Sequence, residues 1–245
     1  GRLEGAGARL ALPYRQEPGA ESEAGAKVER TMDGAKVERL QALAQKQGAS
    51  VYMLLLSALG VVLHEYTGQN GLCIGSPIAN RNRREIEWLI GFFVNTLVMR
   101  LEVRGQESFL ELLRRVKQQA LEAYEHQDLP FERLVQELAS ERQWGHSPLF
   151  EAMLVVQNAP MEELQVEGLR FVAEKFDHPG AKLNLTLFVS EKAGGWELVW
   201  RFKAGLLDRA LVEQMSQCLE NLLAAVAENA ELPVGSGVLV PAEQR

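Results

Sequence analysis

Ile90-Gly91-Phe92-Phe93-Val94-Asn95-Thr96-Leu97 carries the alternation from which the fold is read. As a strand it puts Phe93, Asn95, Leu97, Met99, Leu101 and Val103 on one face, under the two-residue period of extended backbone. Asn95 is the polar exception on that face. A buried carboxamide left without partners costs about 1–3 kcal/mol, so Asn95 is either hydrogen-bonded inside the protein or faces a wet cavity. A second polar cluster, His126-Gln127-Asp128-Leu129-Pro130-Phe131-Glu132, follows one helix later.

Outward from this pair, the 3.6-residue period predicts a helix from about Glu107 to Tyr124, apolar at Phe109, Leu113, Val116, Ala120 and Tyr124. Pro130 suits the first turn of a further short helix packed through Phe131, Leu134, Val135 and Leu138. Upstream, Leu72 to Ile78 reads as a short strand stopping at Pro77. Ser50 caps a helix to about Tyr66, closed by Gly68, whose apolar residues cover more than half its circumference, so it belongs between layers. The hexapeptide Gly-Ala-Lys-Val-Glu-Arg occurs at 25–30 and at 34–39. Six residues fall short of a structural repeat; the first copy lies in a strand-like stretch ending at Met32, and the second opens a helix capped by Asp33.

After Pro148 the pattern turns extended: Glu151 to Asn158, Leu169 to Phe176, Leu183 to Ser190 and Trp196 to Lys203 fit strands, the last two joined by a hairpin turn at Ala193-Gly194-Gly195. Asp208 caps a last helix with a stripe of Leu211, Met215, Cys218, Leu222 and Val226. The expected architecture is an α/β (α+β) layered sandwich, a mixed sheet flanked by helices. Residues 1–24 read as a linker or surface crossing, 25–232 as the folded unit, and 233–245 as the start of a linker to a following domain. Beginning at Gly1 with a polar, Gly/Ala-rich segment, the chain is expected to be a piece of something longer.

The 245 residues are 47% hydrophobic and 24% charged, enough to bury a substantial core. A net charge of −7 and a pI near 5.3, with no Lys/Arg stripe, argue against a nucleic-acid partner. The local basic run Arg81-Asn82-Arg83-Arg84 is either a solvated loop or an anion or partner contact. Cys73 and Cys218 read as buried small hydrophobes rather than a disulfide, consistent with a reducing, cytoplasmic setting. The longest apolar run, Val51 to Leu63, is too short to span a bilayer.

Four histidines are present, His64, His126, His146 and His178, with no His-His pair, metal-type cluster, phosphate-binding glycine loop or Gly-x-Ser-x-Gly elbow. His64 sits near a helix end, where a cation suits the dipole. His126 with Asp128 offers a general base oriented by a carboxylate, or simply adjacent side chains that cap and solvate a helix start. Ser76, in Gly75-Ser76-Pro77, lies where a strand exit either meets a ligand or merely turns. Gln157 and Asn158 end an apolar strand, facing a cleft or forming a plain turn.

Together these motifs resemble those of nonribosomal peptide synthetase condensation domains. Ile90 to Leu97 and His126 to Glu132 match two late core motifs of that family in order and separation, and Ser147-Pro148-Leu149-Phe150 resembles the end of a third. Gly75 to Arg83 has the family's look, and Val234 to Arg245 resembles the run into an adenylation domain. Two departures stand out: Arg142-Gln143-Trp144-Gly145-His146-Ser147-Pro148 replaces Arg-Asp-x-Ser-Arg-Asn-Pro, and Ala181-Lys182-Leu183-Asn184-Leu185-Thr186-Leu187 has Asn184 where the family has aspartate.

The resemblance implies one lobe of a chloramphenicol acetyltransferase-like fold. The family's catalytic His-His-x-x-x-Asp-Gly motif belongs to the N-terminal lobe and does not occur here, so the chain is expected to be the C-terminal lobe, inactive alone, with no catalytic residue and no metal of its own. Expected partners are the N-terminal lobe, donor and acceptor peptidyl carrier proteins and a following adenylation domain, with no nucleic acid and no membrane. No cofactor is expected to bind directly, the substrates being carried on phosphopantetheine arms. Matching positions suggest Ser76 beside the substrate path, Arg81 as ion-pair partner of the motif aspartate, and Asn95, Gln157 and Asn158 as polar tunnel-wall or supporting groups. The alternatives are a noncatalytic carrier- or domain-interaction module, or a lobe of an epimerisation or heterocyclisation domain; His126-Gln127-Asp128 and Phe93-Val94-Asn95-Thr96 favour ordinary condensation. An isolated lobe is expected to self-associate weakly through the apolar surface that meets its partner.

Overall fold

A computed structural model describes residues 9–15, 24–81, 84–138, 149–157, 165–166, 169–170, 180–192 and 194–235. Strand β1 (Gly25–Asp33) runs directly into helix α1 (Gly34–Lys46), because the Asp33 carboxylate accepts from the Ala35 N–H at 3.0 Å and starts the helix there. The two hexapeptide copies are thus strand and helix in turn. Helix α2 (Val51–Thr67) is capped by Ser50, which accepts from Met53 N, and ends at Gly68 in the left-handed region, φ 67°. Strands β2 (Gly71–Ile78) and β3 (Asn95–Glu102) are followed by α3 (Phe109–Glu125), where Ser108 and Glu111 form a reciprocal cap, and by α4 (Phe131–Leu138). The remaining elements are β4 (Ala152–Gln157), a two-residue ladder of β5 (Gln165–Val166) with β6 (Leu169–Arg170), the hairpin of β7 (Leu185–Lys192) with β8 (Gly195–Lys203), and α5 (Arg209–Glu228), capped by Asp208.

Six strands form one mixed sheet in the order β1-β8-β7-β4-β2-β3. β4 is parallel to both β2 and β7, and the outer pairs are antiparallel. Helices α1, α2, α3 and α5 pack on one another and on the sheet. The core between them holds Leu54, Leu59, Leu63, Ile74, Leu154, Leu187, Trp196, Trp200 and Phe202, all fully buried. α2 is buried along its apolar length, as expected of a helix between layers. Cys73 and Cys218 are buried free thiols, and burial pushes the Cys218 thiol up to about 12. Among the described residues no single helix is long and apolar enough to cross a membrane.

Several boundaries differ from the sequence reading. β3 begins at Asn95 rather than Ile90: β2 ends opposite it, in the pair Ile78–Asn95, and carbonyls of the preceding loop are taken by the Arg81 side chain instead of a strand. Leu97, Met99, Leu101 and Val103 do share the buried face. Pro77 does not stop β2 but lies within it, opposite Thr96. The ladder from β2 to β4 covers only Ile74–Ala152 and Gly75–Met153, so β2 pairs on one side by then, a setting that tolerates proline. Of the extended stretch expected from Leu169 to Phe176, Leu169–Arg170 is a strand and the rest lies outside the described residues. Leu10 and Leu12 are buried, so residues 9–15 pack against the domain. Residues 232–235 likewise lie along Gly105–Phe109: Phe109 N donates to Leu232 O, Val234 N to Glu107 O and Gly235 N to Gly105 O.

Candidate functional site

The separate motif stretches meet where β3 begins, beside the second half of β2 and the start of β4. Asn95 is the join. Its Nδ2 donates to the carbonyls of Gln127 (2.8 Å) and Leu129 (2.9 Å), and its Oδ1 accepts from the N–H groups of Thr96 (2.9 Å) and Phe131 (3.1 Å). A carboxamide has two donor hydrogens and two acceptor lone pairs, and all four are used. Of the two possibilities open from sequence, internal hydrogen bonding is the one realised. Asn95 fastens the start of β3 to the loop before α4, which supplies the Phe131 amide left open at a helix start.

Phe131 in turn lies 5.6 Å, ring centre to ring centre, from Phe150, just before β4. Phe150 presses on Gly75 of β2, where a Cβ would overlap its ring, so only glycine fits there. Four stretches quoted from the sequence thus form one contiguous packing unit. α4 completes it with Phe131, Leu134, Val135 and Leu138 half-buried along one side.

The site residues expected from sequence divide sharply. Ser76 is buried on β2, opposite Leu97. Beside it is Tyr52 at the start of α2, whose hydroxyl is buried without a well-formed hydrogen bond; burial pushes this phenol up and the Ser76 hydroxyl opposes the shift. Nothing in the local sequence marked Tyr52, which reads as one more apolar position of α2. Arg81 lies at the head of the β2–β3 connection with its guanidinium turned onto that loop. Gln157 is exposed at the end of β4, level with Ser190 of β7. Asn158 lies outside the described residues, as do His146, His178 and most of the divergent third motif. His126 is exposed at the end of α3, its N–H bonded to Ala123 O, and His64 bonds the Gln69 carbonyl through Nδ1 at 2.9 Å. Among the described residues no group of His, Cys, Asp and Glu side chains is arranged to hold a metal.

A polar cluster that begins at the residue after Phe150 was not anticipated. Glu151, buried just before β4, accepts through Oε2 from Leu10 N and from the Tyr14 hydroxyl, both at 2.8 Å. Asn184, buried before β7, donates to the same hydroxyl at 3.5 Å. Burial, with the Glu151 charge adding to it, pushes the Tyr14 phenol up. Residues 9–15 are further held by Gln69, which accepts from Ala11 N, and by Arg15, which bonds Leu206 O through its N–H and Asp208 through its guanidinium. The signal available in sequence was Asn184 itself, the departure from aspartate.

A sheet of this order, with the motifs packed at one edge, has relatives. The family profile described as "Condensation domain" matches residues 1–245, and the chain belongs to that family. It is 40% identical over 247 residues to a linear gramicidin synthase of Brevibacillus parabrevis, covering 100% of this chain and 3% of the relative. It is 35% identical to a plipastatin synthase of Bacillus subtilis, covering 100% and 7%. Among solved structures, a holo four-domain nonribosomal peptide synthetase bound to AMP and glycine superposes with a TM-score of 0.86 at 20% identity, over 96% of this chain and 19% of the other. The X-domain from teicoplanin biosynthesis superposes at 0.86 and 24% identity, over 95% and 54%. The condensation domain of the polyketide synthase MokA gives 0.77 and 18%, over 94% and 55%. At these identities the superpositions establish the fold. The chain spans about half the length of the last two proteins and a few per cent of the two synthases.

Proposed function

We propose that this chain is the C-terminal lobe of a condensation domain that forms amide bonds in nonribosomal peptide synthesis. The observation that carries the reading is the coverage: 94–95% of this chain superposes on 54–55% of the teicoplanin X-domain and the MokA condensation domain. In the complete domain to which this chain would belong, the other half would supply the N-terminal lobe and the His-His-x-x-x-Asp-Gly motif. In the assembled domain, the amine of an acceptor aminoacyl thioester attacks the carbonyl of a donor thioester. A C–N bond forms, the C–S bond breaks, and the donor thiol leaves with the proton released by the amine. Both substrates arrive on phosphopantetheine arms of peptidyl carrier proteins, so the lobe needs no cofactor of its own.

Within that domain the lobe contributes one tunnel wall, part of the donor carrier-protein surface and a segment crossing to the other lobe. Ser76 stands beside the substrate path, and Gln157 and Asn158 are polar wall groups. Arg81 is the candidate ion-pair partner of the motif aspartate, and forming that pair would release carbonyls of its own loop that the guanidinium now holds. Asn95 acts from behind the wall, since its hydrogen-bonding capacity is filled by the protein. Residues 233–245 lead towards an adenylation domain, and the protein works in the cytoplasm.

The test combines both lobes, assembled natively, with loaded donor and acceptor carrier proteins and looks for the dipeptidyl thioester. Product is expected, together with its loss on alanine substitution of Ser76 and Asn158. A natively assembled pair that binds the carriers and makes no product would instead support a noncatalytic interaction module.

A further inference from the structure

Among the described residues, a cavity of about 250 Å³ lies on the helix-covered side of the sheet, where β4 and β7 finish and α2 starts, lined by Val51, Val156, Val189, Glu191 and Trp196. Strand register brings these side chains together. Val156 is level with Val189 across the parallel β4–β7 ladder, Glu191 follows Val189 on the same face of β7, and Trp196 stands opposite Glu191 across the hairpin. Val51 closes the space as the first residue of α2. Val189 and Trp196 are buried whereas Glu191 is exposed, so the depth of the cavity is apolar and its rim carries a carboxylate.

The lining selects the chemistry of a ligand. A water molecule needs two to four polar partners, and three valines offer none, so water fills the interior poorly. An apolar cavity of about 150 Å³ admits benzene, and one of this size takes a hydrocarbon chain of about five or six carbons. At the rim, Gln41 of α1 donates through Nε2 to Glu191 Oε1 at 3.0 Å, leaving Oε2 for a ligand. A carboxylate only accepts, so the complementary group is a donor, and a cationic donor binds it more strongly than a neutral one. The Trp196 indole adds attraction for a cation. A guanidinium is matched best by both oxygens of a carboxylate at once, and Gln41 occupies one of them; an ammonium is a compact point charge that a single oxygen serves.

We propose that this cavity binds a primary alkylammonium group, its hydrocarbon against Val51, Val156, Val189 and Trp196 and its charge on Glu191. The site does not depend on the amide-forming reading, and it is distinct from the tunnel-wall position Gln157, which alternates to the opposite face of β4 from Val156. Two sources carry the group: a free aliphatic amine, and the basic side chain of a carrier-bound aminoacyl substrate.

The experiment titrates the intact synthetase polypeptide, with methyl-labelled valines, with n-pentylamine, a cation at neutral pH, and with n-pentanol as its uncharged match. Pentylamine is expected to bind with a Kd on the order of 1 mM, to shift the methyl resonances of Val51, Val156 and Val189, and to bind about fivefold more tightly than pentanol, an advantage that Glu191→Gln removes. Val156→Phe, which fills the cavity, is expected to abolish the shifts at Val51 and Val189; should that variant unfold, Glu191→Gln at its exposed position carries the test. Equal binding of amine and alcohol, an advantage that survives Glu191→Gln, or no shift at these valines up to about 20 mM would overturn the proposal. The source is read from condensation with lysyl- and norleucyl-loaded carriers. A rise in KM for the lysyl-loaded carrier alone identifies the side chain as the natural occupant, and unchanged kinetics with both identifies a free amine, each upholding the ammonium site. Inhibition of both that persists in Glu191→Gln would place the amine at the reaction centre and overturn the assignment. Absence of dipeptidyl product would count against the amide-forming reading, and the valine shifts would still decide the cavity.

Discussion

Asn95→Ala tests whether one carboxamide really joins the two sequence motifs. Four hydrogen bonds disappear, and three of them, to Gln127 O, Thr96 N and Phe131 N, lie in partly buried surroundings. The fourth, to Leu129 O, is exposed and water replaces it cheaply. At about 1 kcal/mol net for each partly buried bond, the cost is about 3 kcal/mol. Asn95→Asp is nearly isosteric, but its carboxylate places an oxygen where Nδ2 now stands, 2.8 and 2.9 Å from two carbonyl oxygens. That repulsion adds about 1 kcal/mol at neutral pH. The folded state favours the neutral acid, which can donate to one of those carbonyls, so the pKa of the introduced carboxyl is raised in the folded protein. The destabilisation should therefore be full above the folded pKa and shrink as pH falls towards the ordinary aspartate value of about 3.9. Urea unfolding between pH 4.5 and 8, with hydrogen exchange at the Phe131 amide, measures both effects. A loss below about 0.5 kcal/mol for the alanine variant, typical of an indifferent surface position, with unchanged exchange at α4, would refute the reasoning. So would an aspartate variant whose deficit does not depend on pH.

Glu151→Gln keeps the shape and removes the charge from one buried and one partly buried hydrogen bond, so a loss of about 2 kcal/mol is expected in urea, with faster tryptic cleavage at Arg9 and Arg15. Asn184→Asp puts a second carboxylate against the single Tyr14 proton and should destabilise at pH 7, less so when combined with Glu151→Gln; additivity of the two changes would count against the shared hydroxyl. Arg115 holds buried Glu107 through two hydrogen bonds, 2.5 and 2.6 Å; Arg115→Ala strands that carboxylate, costing about 3 kcal/mol, and should speed exchange at Val234 and Gly235, which an independent tail would not do. Burial raises both thiols, Cys218 to about 12 and Cys73 in the same direction. Native alkylation should thus stay slow up to pH 9, and the thiols' contribution to stability, present below the unfolded value of about 8.5, should be lost as pH rises above it. Rapid labelling of the native protein at pH 8 would contradict their burial.

Most of the helical layer was legible because it depends on local chemistry. Asp33, Ser50, Ser108 and Asp208 each sit where a helix starts, and each side chain accepts from an N–H of the first turn. The β7–β8 hairpin was legible for the same reason, through its glycine turn, with Gly194 at φ 87°. The start of β3 was not. Ile90 to Val94 alternates as well as any strand, but a strand needs a neighbour, and β2 has none to offer beyond Ile78. The side chain that takes up the loop's carbonyls lies at Arg81, where the local sequence shows only a basic run. The cluster of Glu151, Tyr14 and Asn184 was hidden in a similar way, since it joins residues more than a hundred positions apart.

Hydrogen-bonding capacity also sorts the proposed site. Asn95 was expected as a polar tunnel-wall or supporting group and Arg81 as the ion-pair partner of the motif aspartate; Asn95 is saturated by backbone partners and Arg81 directs its guanidinium at four carbonyls and a ring. A group so engaged shapes a surface rather than binding a substrate, because each new contact would cost an existing one. Ser76 and Tyr52 are different: two hydroxyls side by side at a strand end, one of them buried without a well-formed bond. Substituting Tyr52 by Phe separates the possibilities. If the phenol is only a buried, poorly satisfied group, its removal raises thermal stability and leaves condensation unchanged. If Ser76 and Tyr52 together face the substrate path, stability still rises, but the KM for one of the carrier-bound substrates rises with it. A fall in stability would mean that the hydroxyl is a structural hydrogen bond after all, and would remove Tyr52 from the site.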